Sequence, residues 1–238
     1  KTSLEHMRAI TPYITDKFML IDSSTRRNLE LTETMREKTK RGSLLWVLDK
    51  TKTAMGARML RSFLEQPLID MEEINARLDA VEEINGHEMD REEIREYLGP
   101  VYDLERLMSR VSYQSANPRD MISFKTSIAM IPHIRRPMQQ FSCQELQQVY
   151  EDMDDLQDLY RVLEDAIVED PPLAMKEGGI IKEGYNEQID YYRSAKTEGK
   201  NWLAQLESEE KEKTGIRNLK VKYNKVFGYY LEVTNSFK

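Results

Sequence analysis

Five cations gather near the end of the chain: Lys213, Arg217, Lys220, Lys222 and Lys225, and no acidic residue follows Lys213 until Glu232. Lysine and arginine on such a stretch can neutralise a phosphate backbone with release of its counterions. Leu219, Val221 and Tyr223 alternate with the cations at a period of two, the pattern of a half-buried strand. Asn224-Lys225 then turns the chain, and Phe227 to Val233 reads as a second strand, giving a hairpin. Arg217, Lys220, Lys222, Asn224 and Lys225 are therefore the candidate contacts to a nucleic-acid backbone. The competing reading is plain: lysines on an exposed hairpin also serve as solvated charges that protect a sheet edge.

Other groups are poorly arranged for chemistry. The sequence holds no GxxxxGK[ST] phosphate loop and no GxGxxG, so it encodes neither kind of nucleotide site. His6, His87 and His133 are far apart and lack partners at metal-ligand spacing. Cys143 is the only cysteine, which rules out an intrachain disulfide and a cysteine-based zinc site. Glu151, Asp152, Asp154 and Asp155 form an acidic run without the glycine turn or bidentate glutamate of a calcium loop, so a solvated helix face is expected. Ser23-Ser24-Thr25 with Arg26-Arg27 resembles a phosphate nest, but capping and arginine pairing explain the same residues. The methionines and Trp46 and Trp202 are expected to pack the core. A net charge of −7 excludes a uniformly basic nucleic-acid binder, so any such contact is local. No apolar run approaches the roughly 18 residues of a membrane span, and no secretory signal is visible.

The elements that would position the basic stretch are helical. Leu4, Met7 and Ile10 suggest a short lead-in over 1–17, ended by Pro12. Phe18 to Ile21 is a buried-looking apolar run and the strand candidate of the first half, and Asp22, Ser23 or Ser24 can cap the turn after it. Ser43 caps a short helix through Leu48. Thr53 caps a longer one bearing Met55, Met59, Leu60, Phe63 and Leu64, stopped by Pro67. Asp70 caps a third, closed by Gly86, and a fourth covers Asp90 to Leu98. Leu104, Leu107, Met108 and Val111 mark a fifth. Asn117-Pro118 starts a sixth that runs through Met130, and apolar spacing continues from Leu146 to Ile167. Without strand–helix alternation, a doubly wound sheet is excluded and the fold is mainly α.

Asp170-Pro171-Pro172 and Gly178-Gly179 mark a loop or domain edge, with Ile180-Ile181 a short buried segment. Gly184-Tyr185-Asn186-Glu187 opens the longest helical pattern, Asn186 to Lys213. The organisation expected is thus 1–17 lead-in, 18–184 helical domain, and 185–238 a long arm ending in the hairpin. The chain begins at Lys1 without an initiator methionine and stops just past a strand pattern, which reads as a piece of something longer.

One block ties these elements to a known family. Thr25-Arg26-Arg27-Asn28-Leu29-Glu30, Leu48-Asp49 with Thr51 and Thr53, Met55-Gly56, Arg58-Met59-Leu60 and Pro67-Leu68 together resemble the start of the core, or lever, domain of the MutS family of bacterial DNA mismatch-repair proteins. Asn117-Pro118-Arg119-Asp120 and Pro171-Pro172 extend the resemblance. Thr214-Gly215, Leu219-Lys220-Val221, Asn224 and Gly228-Tyr229-Tyr230 resemble the first part of the family's clamp domain. The resemblance implies lever helices over 18–184 and a truncated clamp over 185–238, in a cytoplasmic, DNA-associated protein. It further implies an ATPase domain with its ATP and Mg²⁺, a homodimer and other mismatch-repair partners, all belonging to the full-length protein. For the chain itself it implies duplex DNA as a partner through the clamp hairpin, no catalysis, no cofactor and no membrane. Two other classes compete: a helical scaffold or protein-interaction module without DNA contact, and a hydrolase built on paired carboxylates, for which no convergent pair is visible.

Overall fold

The computed structural model describes residues 17–226 and 228–233, so the lead-in over Leu4, Met7 and Ile10 lies outside the described residues, as do Phe227 and the last five. The fold is mainly α, with one small antiparallel sheet near the C-terminus. Backbone contacts divide the chain into two units, Lys1–Ile180 and Ile181–Lys238.

In the first unit, side-chain oxygens decide where most helices start. Asp22 accepts from the Thr25 N–H ahead of α1 (Ser23–Asn28), Ser43 from Trp46 ahead of α2 (Leu44–Leu48), and Thr53 from Gly56 ahead of α3 (Ala54–Glu65). Asp70 accepts from both Glu72 and Glu73 to open α4 (Met71–Gly86), which is followed by α5 (Glu88–Leu98). Asp103 opens α6 (Leu104–Ser112). Asn117 and Asp120 form a reciprocal capping box with Pro118 at the first turn of α7 (Pro118–Ala129). The sixth helix expected from the sequence ends there. Ile131-Pro132 begins a separate α8 (Ile131–Met138), because proline has no N–H to continue the ladder. The apolar spacing after it belongs to two helices, α9 (Gln144–Asp152) and α10 (Gln157–Ala166), parted at Leu156 in the left-handed region, φ 50°.

Two apolar clusters hold these helices. Leu107, Phe124, Ile128, Leu163, Ala166 and Ile167 join α6, α7 and α10. Ala80, Ile134, Met138, Phe141 and Leu146 join α4, α8 and α9. Several polar groups taken into the interior of the helical unit are paired. Ser127, wholly buried, accepts from the Tyr102 N–H at 2.9 Å and donates to the Ser123 carbonyl at 2.8 Å. Arg58 forks onto both carboxylate oxygens of Asp103 at 2.7 Å and also reaches Glu105, fastening α3 to α6. Arg119 Nε donates to the carbonyl of buried Pro171 at 3.1 Å, joining two of the motif segments. Glu83 on α4 accepts from the backbone N–H groups of Ser142 and Cys143, at 2.5 and 2.8 Å, and from the Ser142 hydroxyl. These donors hold its carboxyl down from 4.5 to about 2.

Several expectations about burial are corrected. Phe18 makes a single antiparallel bridge to Leu68, with Met19 N–H on the Pro67 carbonyl at 2.8 Å, but Met19 and Leu20 face solvent, Leu20 at 95% exposure. A lone bridge has no second strand to cover its outer residues. Met59, Met71, Met89, Met108 and Met175 are exposed, while Met138 is in the core. Trp46 and Trp202 are exposed as well. Met59 and Met108 lie on helices at apolar spacing, yet both side chains are exposed.

The second unit is an arm and a hairpin. Asn186 caps α11 (Glu187–Thr214), whose 28 residues span about 42 Å. Arg193 steadies its first turns through Asp190 and the Ile181 carbonyl, at 2.9 and 2.8 Å. Gly199 lies mid-helix, and beyond the adjoining helix backbone no atom comes within 4 Å of where a Cβ would sit. Gly215 ends the helix in the left-handed region, φ 68°. β1 (Lys220–Asn224) then pairs with β2 (Gly228–Glu232), Lys222 opposite Tyr230. Gly228, at φ 76°, closes the turn in a conformation that a side chain resists.

Two outcomes follow from this architecture. Glu83→Gln should lower the urea midpoint at pH 7, and its deficit should shrink as pH falls from 4.5 toward about 2, because the depressed carboxyl contributes its stability only while ionised. A deficit unchanged between pH 7 and pH 3 would contradict the capping role. Gly228→Ala should loosen the hairpin by about 1–2 kcal/mol, seen as roughly five- to thirtyfold faster amide exchange in β1 and β2 without a change in the helical unit.

Candidate nucleic-acid interface

The hairpin's register sorts its side chains. Lys220, Lys222, Tyr230 and Glu232 share one face, and Val221, Tyr223, Tyr229 and Leu231 the other. Buried Leu219 holds the start of β1, and the rings of Tyr223 and Tyr229 meet across the strands at 5.1 Å. Arg217 is exposed in the turn between α11 and β1, and Lys225 is exposed at the hairpin tip. Asn224 serves the tip first: its Oδ1 accepts from the Val226 N–H at 2.7 Å, an Asx turn that leaves the side-chain amide as its remaining donor. Lys220 and Lys222 are thus brought together on one face, while Arg217, Asn224 and Lys225 sit at its two ends.

Two carboxylates belong to this surface that the run of positive charge conceals. Glu232 pairs with Lys222 across the strands, at 2.7 and 2.8 Å, and this contact raises the lysine's pKa. Glu207 on α11 accepts from Lys211 at 2.6 Å and from the Val221 N–H at 3.0 Å. Those bonds lower its pKa, with Lys220 adding to the effect. The second bond satisfies an outer N–H of β1 and ties the hairpin edge to the arm. Lys213 is likewise engaged, with Glu210 at 3.0 Å. The spacing of Glu207 four residues before Lys211 is visible in the sequence. Pairing Glu232 with Lys222 requires the hairpin register, which no local pattern supplies.

Elsewhere the candidate groups serve the fold. Asp154 and Asp155 accept from the N–H groups of Leu156 and Gln157, shaping the start of α10. Arg26, Arg27 and Arg61 line a cleft with Ser23, Thr32, Glu33 and Glu65. Arg61 pairs with Glu65 at 3.0 Å, and Arg26 donates to the Ile21 carbonyl at 3.2 Å with its Nε buried and unpartnered. Among the described residues no cluster of three His, Cys, Asp or Glu is arranged to hold a metal, and no helix is long and apolar enough to cross a membrane.

The arrangement can therefore present a few cations to an extended polyanion, at the tip of an arm. Comparison with known proteins agrees with the motif blocks. Residues 24–228 match the family model described as MutS domain III. The chain is 64% identical to the DNA mismatch repair protein MutS of Lachnoclostridium phytofermentans over 237 residues, which is 100% of this chain and 25% of that relative. It is 54% identical to the MutS protein of Acetivibrio thermocellus, covering 100% of the chain and 27% of the relative. To that of Caldanaerobacter subterraneus it is 52% identical, over 99% and 27%. The chain spans about a quarter of the length of these curated relatives. With nearly all of its helical unit, its arm and β1 inside the residues matched to the family model, and its whole length aligned to these relatives, the chain belongs to the MutS family of DNA mismatch-repair proteins, in the region of MutS domain III.

Proposed function

We propose that this chain is a transmitting and DNA-holding segment of a mismatch-repair protein: the helices of 18–184 act as a lever, and the hairpin within 185–238 grips duplex DNA by its phosphates without reading sequence. The observation that carries this reading is the concentration of Arg217, Lys220, Lys222 and Lys225 on the far side of a 28-residue helix, in a chain whose net charge is −7. Cations on a small hairpin add affinity by releasing counterions at any sequence. Contacts to phosphate fix position on the duplex and carry no sequence information of their own. The Arg58–Asp103 fork and the two apolar clusters make the helical unit stiff enough to pass on a displacement.

Mismatch recognition, ATP hydrolysis with Mg²⁺, dimerisation and recruitment of other repair proteins are assigned to the remainder of a full-length protein working in the cytoplasm. No step of this proposal runs through the nucleotide. A second reading, a helical scaffold that binds protein and no DNA, is favoured by one observation. Leu20, Trp46, Val47 and Met59 present large apolar side chains to solvent within the first unit.

Fluorescence anisotropy on labelled duplex DNA, matched and mismatched, across a salt series separates the readings. Weak binding that ignores the mismatch is expected, with a log–log salt slope no steeper than about −4 to −5, the limit if all five cations from Lys213 to Lys225 met phosphates. Changing Lys220, Lys222 and Lys225 together to Glu should abolish it. Preference for the mismatch would overturn the division of labour, and absence of binding at low salt would favour the scaffold.

A further inference from the structure

We infer that Glu232 sets the grip of the hairpin by occupying Lys222, so that a DNA phosphate is bound there only by displacing a carboxylate of the chain itself. This rests on the reading that the hairpin holds DNA. Both oxygens of Glu232 lie at bonding distance from the Lys222 ammonium, 2.8 and 2.7 Å. The two side chains are 48% and 43% exposed, open enough for a phosphate oxygen to enter and for water to receive the departing carboxylate. The register places Glu232 opposite Lys220 as well, so one acid stands beside both cations of the face. Glu207 holds a different position. It is committed to Lys211 and the Val221 N–H, and its duty is to fix the hairpin edge.

The consequence is a binding face that carries its own competing anion. Arg217 and Lys225 meet phosphate with no exchange to perform, while Lys222 contributes the difference between two similar charge pairs. Contact at Lys222 is thereby weakened without being removed, which suits a clamp that must hold DNA and still move along it.

The test is anisotropy with a labelled random-sequence duplex and the whole 238-residue chain. Glu232→Gln should tighten binding about two- to fivefold, the range expected for a half-exposed ion pair. It should also steepen the salt slope by less than about 0.9, the value for one whole further phosphate, because Lys222 already meets phosphate part of the time. Glu212→Gln, which removes the same charge from an exposed site on α11, should give a smaller gain and no change in slope. In a Lys222→Gln background the gain from Glu232→Gln should fall to about that of Glu212→Gln, since the extra part belongs to the pair. Equal gains from Glu232→Gln and Glu212→Gln, or a gain undiminished without Lys222, would overturn the inference in favour of a general charge effect. Amide exchange of Lys222 and Tyr230, which face each other across the ladder, checks that the hairpin stays paired. If Glu232→Gln loosens it, Glu232→Thr repeats the test with a residue that favours strands, and weaker binding from an intact hairpin would also overturn the inference. Failure of the unsubstituted chain to bind duplex at low salt is a different result: it removes the DNA-holding reading, and this inference with it.

Discussion

A side-chain oxygen accepting the first free N–H groups of a helix is the contact on which the helical unit depends. Many of its helices have twelve residues or fewer, a length at which an isolated helix is marginal in water. Asp22, Ser43, Thr53, Asp70, Asp103 and Asn117 each supply that acceptor, and Glu83 holds the two N–H groups just ahead of α9. Capping fixes where each helix begins, hence which residues of it meet their neighbours, hence the two apolar clusters. Asp103 shows the economy of the scheme, for it caps α6 and receives the Arg58 fork with the same carboxylate.

This dependence explains how far the fold was legible beforehand. Caps are local, so Ser43, Thr53, Asp70, Asn117 and Asn186 could be read as helix starts, and the structure places a helix at each. Glycine and proline punctuation is local too, though the break at Ala129–Ile131 was missed because Met130 continues the apolar spacing across it. Burial is not local. Met59 and Trp46 lie on stripes that look like core, and whether a stripe is covered depends on what packs on it, which periodicity does not contain. The left-handed turn at Leu156 was invisible for a related reason: its neighbours Asp154 and Asp155 looked like a solvated acidic face, and only their bonds to the following N–H groups show them shaping the turn.

The candidate interface was legible as a charge pattern and illegible as a circuit. Arg217, Lys220, Lys222 and Lys225 could be named from spacing, and strand alternation put Lys220 and Lys222 on one side. Their counter-charges come from positions ten or more residues away, Glu232 across the turn and Glu207 back along the arm. The arm itself is studded with acids, Glu187, Asp190, Glu198, Glu207, Glu209, Glu210 and Glu212 among them. Those seven acids of α11 stand against five bases, and four of the seven lie within its last eight residues, next to the hairpin.

Gly199 gives the arm a mechanical character that its length alone does not convey. It stands near the middle of α11, and glycine carries a propensity penalty of roughly 1 kcal/mol against alanine in a helix interior. Fifteen residues separate it from Thr214, a lever of about 22 Å, so a flexure of only about 5° at this point carries the helix end sideways by about 2 Å. That is comparable to the reach a lysine needs to exchange one phosphate oxygen for another. Gly199 is therefore the point of α11 at which intrinsic propensity does least to hold the helix together.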